Sequence, residues 1–252
     1  MRKGILIFAL ISGAASEGHA GAWPVLPGAT QLIGKFEDQY ALEPVQGAAQ
    51  TQDIIRTRDE RLTLFIERGL TEATTLQANF GLARGVEGGT KHDGFAPVSF
   101  GVRSVLFKSG EFIASGYVGA TVPGIQVSNR FDTAKGHGDL EFRGLIGWTP
   151  KWLGKGAYVE LDLARLAQLG AADQTRLDFT LGKRIGNRWL QLTQIYAGQV
   201  DGGPSRSQWV KLDQTIIRKI RGWTVQTGWR YTLAGRNIPI AEGPVIAIWK
   251  TF

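Results

Sequence analysis

Ten ionisable side chains sit at alternate positions in otherwise alternating polar and apolar segments: Arg103, Glu141, Arg143, Glu160, Asp162, Arg176, Asp178, Lys211, Asp213 and Arg230. Held together around an enclosed space, such groups set selectivity for small charged solutes, as rings of charge do in pores. The same groups can instead pair across neighbouring strands and stiffen a closed interior. Folding the hairpins about their short turns places Arg143 near Glu160 and Asp162, and Asp162 near Arg176 and Asp178. Arg103, Glu141, Arg143, Glu160, Asp162, Arg176, Asp178 and Arg230 are the residues expected to line a lumen. A second chemistry needs a nucleophile, a base and an orienting group within hydrogen-bond reach. His92, His137, Ser128, Ser205 and Ser207 supply the residue types for an outer-membrane enzyme acting on lipid, but no His-x-Ser pairing joins them. Two scattered histidines without a carboxylate cluster make no metal ligand set, and no cofactor is implied.

The elements that must position these groups are strands. Leu140, Phe142, Ile146 and Trp148 alternate with Asp139, Glu141 and Arg143. Leu177, Phe179 and Leu181 alternate with Arg176, Asp178 and Thr180, and Trp223, Val225, Trp229, Tyr231 and Leu233 with Thr224, Gln226, Gly228, Arg230 and Thr232. Period-two alternation marks β-strands with two chemically different faces. Segments of this kind are expected over 29–37, 61–68, 73–83, 97–107, 111–122, 138–148, 156–166, 174–183, 188–199, 207–217, 223–233 and 243–252. About twelve strands is an even number of the kind outer-membrane barrels use. Short turns are expected at Gly69–Glu72, Lys108–Gly110, Thr149–Lys155, Lys183–Asn187 and Arg218–Gly222. Longer loops are expected at 38–60, 84–96, 123–137, 167–173, 200–206 and 234–242. The first of these is long enough to fold inward as a plug, and residues 53–61 read as a loop helix or the outer part of a strand. Short connections on one side and long ones on the other are the asymmetry of a transmembrane barrel with periplasmic turns and outer loops.

Aromatic rings fall in two rows once the short turns are set on the periplasmic side. Phe107, Phe112, Trp148, Trp152, Trp189, Trp223 and Phe252 form one. Phe36, Tyr40, Phe95, Tyr196, Trp209 and Tyr231 form the other. Amphipathic rings favour the two membrane–water interfaces, so Trp148, Trp152, Trp189, Trp209, Trp223 and Tyr231 are expected in the girdles. Basic residues cluster at the short turns, where they can reach lipid phosphates. At the start of the chain, Arg2 and Lys3 precede an apolar run, Gly4 to Ala15, and the small residues Gly18 and Ala20. That run is far short of the roughly 20 residues a spanning helix needs, and the pattern is that of a secretory signal peptide over 1–20, cut after Ala20. Residues 21–252 are then the barrel.

The chain has 252 residues, no cysteine, 43% hydrophobic residues and a formal charge of +7. This excludes disorder, and it excludes disulfide scaffolds, thiolate metal sites and cysteine nucleophiles. The positive charge is spread over turns and lacks the single basic face that nucleic acid requires.

The last strand ends Ile246-Ala247-Ile248-Trp249-Lys250-Thr251-Phe252. A terminal Phe on an alternating strand resembles the assembly signal of Gram-negative outer-membrane barrels, which implies recognition by the barrel-assembly machinery and escort by periplasmic chaperones. The turn Glu67-Arg68-Gly69-Leu70-Thr71-Glu72 resembles the E-Y-G-L-T-D hairpin of porin and hydrocarbon-transport barrels, with Arg68 in the aromatic position and Glu72 for Asp. Gly21-Ala22-Trp23-Pro24, with Gly28 and Gln31, is similar to the start of uncharacterised proteobacterial barrels. These likenesses identify a class and carry over no catalytic residue. The expected fold is an all-β, closed, antiparallel, up-and-down transmembrane barrel of about twelve strands, surrounded by outer-membrane lipid and lipopolysaccharide. The expected function is a small passive channel for small polar or charged solutes. A lipid-directed hydrolase, a closed structural barrel without transport, and a soluble β-barrel or sandwich in the periplasm stand as alternatives.

Overall fold

The computed structural model describes residues 21–41, 57–87, 90–123, 125–126, 138–169, 171–186, 188–201 and 206–252. The expected signal segment, most of the first long loop and most of 123–137 lie outside them. The strands are β1 Thr30–Ala41, β2 Thr57–Gly69, β3 Thr74–Glu87, β4 Thr90–Phe95, β5 Val98–Ser109, β6 Phe112–Val122, β7 Ile125–Gln126, β8 Asp139–Trp148, β9 Tyr158–Gln168, β10 Gln174–Ile185, β11 Trp189–Val200, β12 Gln208–Ile220, β13 Trp223–Arg236 and β14 Ala241–Thr251. Among the described residues the helical structure is one turn of 3-10 helix, Lys151–Leu153, in the β8–β9 connection.

All strands but β4 and β7 form a ring of antiparallel neighbours in chain order. The ring closes where β1 pairs with β14, Gln31 opposite Thr251 and Phe36 opposite Ile246. Two backbone bonds finish the seam, Phe252 N–H to Thr30 O at 2.9 Å and Thr30 N–H to Phe252 O at 3.1 Å. Closure leaves no unpaired edge, the condition for a sheet in hydrocarbon, where water cannot satisfy backbone groups.

Alternation sorts the two faces in the sense opposite to a soluble protein. On β8, Leu140, Phe142 and Ile146 are 46%, 48% and 52% exposed, while Asp139 and Glu141 are 8% and 3% exposed. The outward row repeats around the ring with Leu62, Phe80, Phe100, Val118, Leu163, Leu177, Ile216 and Ile248. The inner face divides by height. Toward the short-turn end it is apolar, with Ile33, Tyr158, Leu190, Leu192, Ile217, Ala247 and Trp249 packed together and joined by Trp23 and Phe65. Above this plug of side chains the inner face is charged.

The twelve barrel strands fall where alternation predicts them, but several run further on the long-loop side. Strand β1 extends to Ala41 and β2 begins at Thr57, so the first loop is shorter than 38–60 and residues 57–61 are strand. The expected loop 84–96 contains β4, which pairs with the outer half of β3 and carries the two-residue β7 on its other edge. Strand β13 runs to Arg236 and β14 starts at Ala241, shortening 234–242 likewise. These extensions rise past the apolar band and are held by polar pairs. Arg58 binds Asp38 at 2.7 Å and Glu60 at 2.7 Å, and Arg84 also reaches Glu60.

Several aromatic side chains cluster beside the short turns. Phe112 and Trp148 stack at 5.3 Å, Trp152 adjoins Trp148, and Trp152, Trp189, Trp223 and Phe252 are exposed beside the short turns. Tyr231 is exposed toward the other rim, where Tyr40 meets Trp229 edge-to-face at 6.3 Å. Tyr196 and Trp209 depart from the outer girdle. Both occupy the inward parity: Tyr196 lies beneath the Arg230 guanidinium, 5.1 Å from its centroid, and Trp209 fills the space over Gly198. Ring type alone does not tell a rim position from a lumen position; the parity of the strand does.

The lipid-facing row generates a stability prediction. Leu163→Arg places a charge in the outward apolar band of β9 and should cost about 2–4 kcal/mol, measured as a shift in equilibrium denaturant unfolding in lipid vesicles. An unchanged midpoint would mean that this face does not meet hydrocarbon.

Candidate functional site

The charged part of the lumen is built from strands whose inward positions fall at every second residue. On β8, β9 and β10, Glu141 accepts from Arg143 at 2.8 Å and from Arg176 at 2.5 Å, and Arg143 also reaches Asp162 at 3.6 Å. Asp178 stands opposite Asp162 in the β9–β10 register. The Arg143 guanidinium lies over the Tyr117 ring, 4.6 Å from its centroid, so the cation is held by two carboxylates and a π face. A second mesh spans β12, β13 and β1. Arg230 grips Asp213 through two bonds of 2.5 and 2.6 Å and also pairs with Glu37, which Lys35 reaches at 3.0 Å. Lys211 donates to Gln39 at 3.2 Å.

The sequence names most of these groups but misassigns one contact and misses three partners. Arg143 meets Asp162 and its own-strand neighbour Glu141, not Glu160. Glu37, Lys35 and Glu67 fall outside the lumen set that the sequence singles out, although all three lie on the inward parity of alternating strands. Parity is the signal that finds them, and it requires the register across β1 and β2.

Arg103 and Glu160 belong to a different structure. The segment before β1 enters the lumen from the short-turn end. There Ala22 N–H donates to Glu160 Oε2 at 2.9 Å, Ser115 Oγ donates to Ala22 O at 2.6 Å, and Val25 N–H donates to Thr75 Oγ1 at 3.1 Å. Arg103 donates to Trp23 O at 2.7 Å and pairs with Glu67 at 3.0 Å, and Glu67 also accepts from Gln77 at 2.8 Å. Trp23 meets Tyr158 edge-to-face at 5.7 Å. Its indole occupies the space a Cβ would take at Gly147, so that glycine on β8 makes room for the insert. Ala22 is fully buried among Ile113, Tyr117 and Leu145. The lumen is therefore narrowed by residues 21–25. The expected plug candidate, loop 38–60, has its central part outside the described residues. Beside the insert, a cavity of about 140 Å³ is bounded by Lys35, Tyr158, Glu160, Thr180, Gln194 and Gln226, among others.

Of the residues weighed for lipid hydrolysis, Ser128, Ser205, His137 and the His92 side chain lie outside the described residues. Ser207 donates to the carbonyl of Asn237 at 3.5 Å.

The pair Arg103–Glu67 is almost fully buried, with side chains 2% and 0% exposed. Removing one partner of such a pair strands the other charge, at a cost of about 3–5 kcal/mol. Arg103→Met should lower unfolding stability by that order, and adding Glu67→Gln should recover most of the loss. Equal losses in the single and double variants would show that the two charges are not coupled.

No family model matches the sequence, and no curated protein matches it either. Solved structures do. An outer-membrane channel from Pseudomonas putida F1 superposes with a TM-score of 0.73 at 12% identity, covering 93% of this chain and 99% of that one. The translocator domain of the autotransporter NalP from Neisseria meningitidis gives 0.57 at 12% identity, covering 95% and 91%. The KdgM porin gives 0.51 at 9% identity, covering 88% and 99%. Identities this low speak to fold alone. With a closed ring, apolar outside and charged within, the chain carries the fold of Gram-negative outer-membrane β-barrels.

Proposed function

We propose that this protein is a small passive channel of the outer membrane for small polar or charged solutes, narrowed at its periplasmic end by its own N-terminal segment. The observation that supports this most is the double mesh of paired charges around the mid-lumen, Glu141–Arg143–Asp162–Arg176 on one side and Lys35–Glu37–Arg230–Asp213 on the other. Paired charges give a solute both signs to exchange with as it sheds water, without leaving either sign unbalanced when the pore is empty. The likeness to an outer-membrane channel over nearly the whole of both chains agrees with this reading. Phe252, exposed on the outward face at the seam, suits the assembly signal that its position at the end of the last strand implies.

A closed structural barrel is the second reading, favoured by how completely Trp23 and its neighbours fill the periplasmic end. Conductance of purified protein in planar bilayers separates the two. The wild type should conduct weakly, and a variant lacking residues 21–26 should conduct severalfold more. Replacing Arg143 and Arg176 with Gln should shift selectivity toward cations, because the carboxylates of Glu141, Asp162 and Asp178 then stand without those counter-charges. Silence from both the wild type and the truncated variant would favour the closed structural barrel and end the channel reading.

A further inference from the structure

Glu160 is a lumen carboxylate without a side-chain ion pair among the described residues. Around it, Arg103 is committed to Glu67 and Trp23, Arg143 to Glu141 and Asp162, and Lys35 to Glu37. Among the described residues no side-chain cation lies within ion-pair distance of Glu160, and its bonded partner is the backbone N–H of Ala22. Asp162, Glu67 and the Arg103 guanidinium, itself paired with Glu67, stand nearby. An enclosed carboxylate with acidic neighbours calls for a cation.

The geometry supplies one from the backbone. Gly21 is buried, and the Glu160 carboxylate occupies the space that a Cβ on Gly21 would fill. A side chain at this position would have to displace the Glu160 carboxylate. Ala20 and Gly18, one and three residues before this point, are the small residues a signal peptidase needs. Hydrolysis of the Ala20–Gly21 bond by water breaks the C–N bond, leaves the hydroxyl on the Ala20 carbonyl carbon, and frees an amine on Gly21. That amine takes up a proton near neutral pH.

We infer that Gly21 is the processed N-terminus and that its α-ammonium forms an ion pair with Glu160 inside the lumen, so that the N-terminal segment docks fully only after the leader has been removed. In the precursor the same nitrogen is an uncharged amide with a single N–H, and Glu160 gains no counter-charge from it. The cut site and the docking site thus share one residue.

The test uses full precursor expressed in a Gram-negative host, with the barrel purified from outer membranes in detergent. Intact mass should correspond to residues 21–252. Reductive dimethylation at neutral pH, read on the N-terminal peptide, should modify the Gly21 amine at least tenfold more slowly in the folded barrel than in the unfolded chain. Glu160→Gln, with heat-modifiable gel mobility retained, should restore rapid labelling. Gly21→Ala, whose methyl group collides with the carboxylate, should do so with Glu160 still present and serves if the first variant fails to fold. A chain beginning elsewhere, or an amine equally reactive in the wild type and the variants, overturns the inference. None of these readouts depends on whether the barrel conducts.

Discussion

A sheet in hydrocarbon has no water to satisfy its backbone, so each N–H and C=O of the spanning region must find a partner within the sheet itself. Everything else in this molecule depends on the ring being closed. The β1–β14 seam is where that condition is met, and it uses the chain to its last residue: Phe252 exchanges both backbone bonds with Thr30. Closure then fixes the two environments. Once the ring has an inside, alternation sends one set of side chains to lipid and the other to an enclosed space, where crowded charges need partners.

That second condition accounts for the composition of the interior. Ion pairs on a protein surface contribute little, but here most of the carboxylates are buried against the barrel wall, Glu141 at 4% and Asp213 at 1% side-chain exposure. Glu141 serves two guanidiniums and Arg230 serves two carboxylates because a dense mesh leaves fewer groups unanswered than isolated pairs do. Toward the short-turn end the barrel uses the other solution. The inward residues become Leu190, Leu192, Ile217 and Trp249, and the remaining space is filled by Trp23. Where the insert docks, this apolar packing is joined by the buried polar groups Thr75, Arg103, Ser115 and Glu160.

How much of this could be read from residues follows from which interactions are local. Strand alternation is local, so segments such as 139–148 and 223–233 identify themselves, and so does the inward set Arg143, Asp162, Arg176 and Arg230. Strand ends are less legible, because the outer extensions of β1, β2 and β3 are fixed by pairing between strands above the membrane, as in Arg58 with Asp38 and Glu60. Tyr196 and Trp209 look like girdle residues by type and height, yet parity turns them inward. The insert is the least legible part. Nothing in Gly21-Ala22-Trp23-Pro24 says that it enters the barrel, because its partners Thr75, Arg103, Ser115 and Glu160 come from four distant strands.

The insert is also weakly held for something that blocks a lumen. Its four described hydrogen bonds to side chains are worth about 1 kcal/mol each, and burying Trp23 adds about 3 kcal/mol. Ordering about six residues costs about 1–2 kcal/mol apiece in backbone freedom. The two sides are of the same size, so docked and released states of the segment lie close in free energy. In such a balance one added contact between charged groups in a sheltered site decides which state is populated, since about 1.4 kcal/mol changes the ratio tenfold.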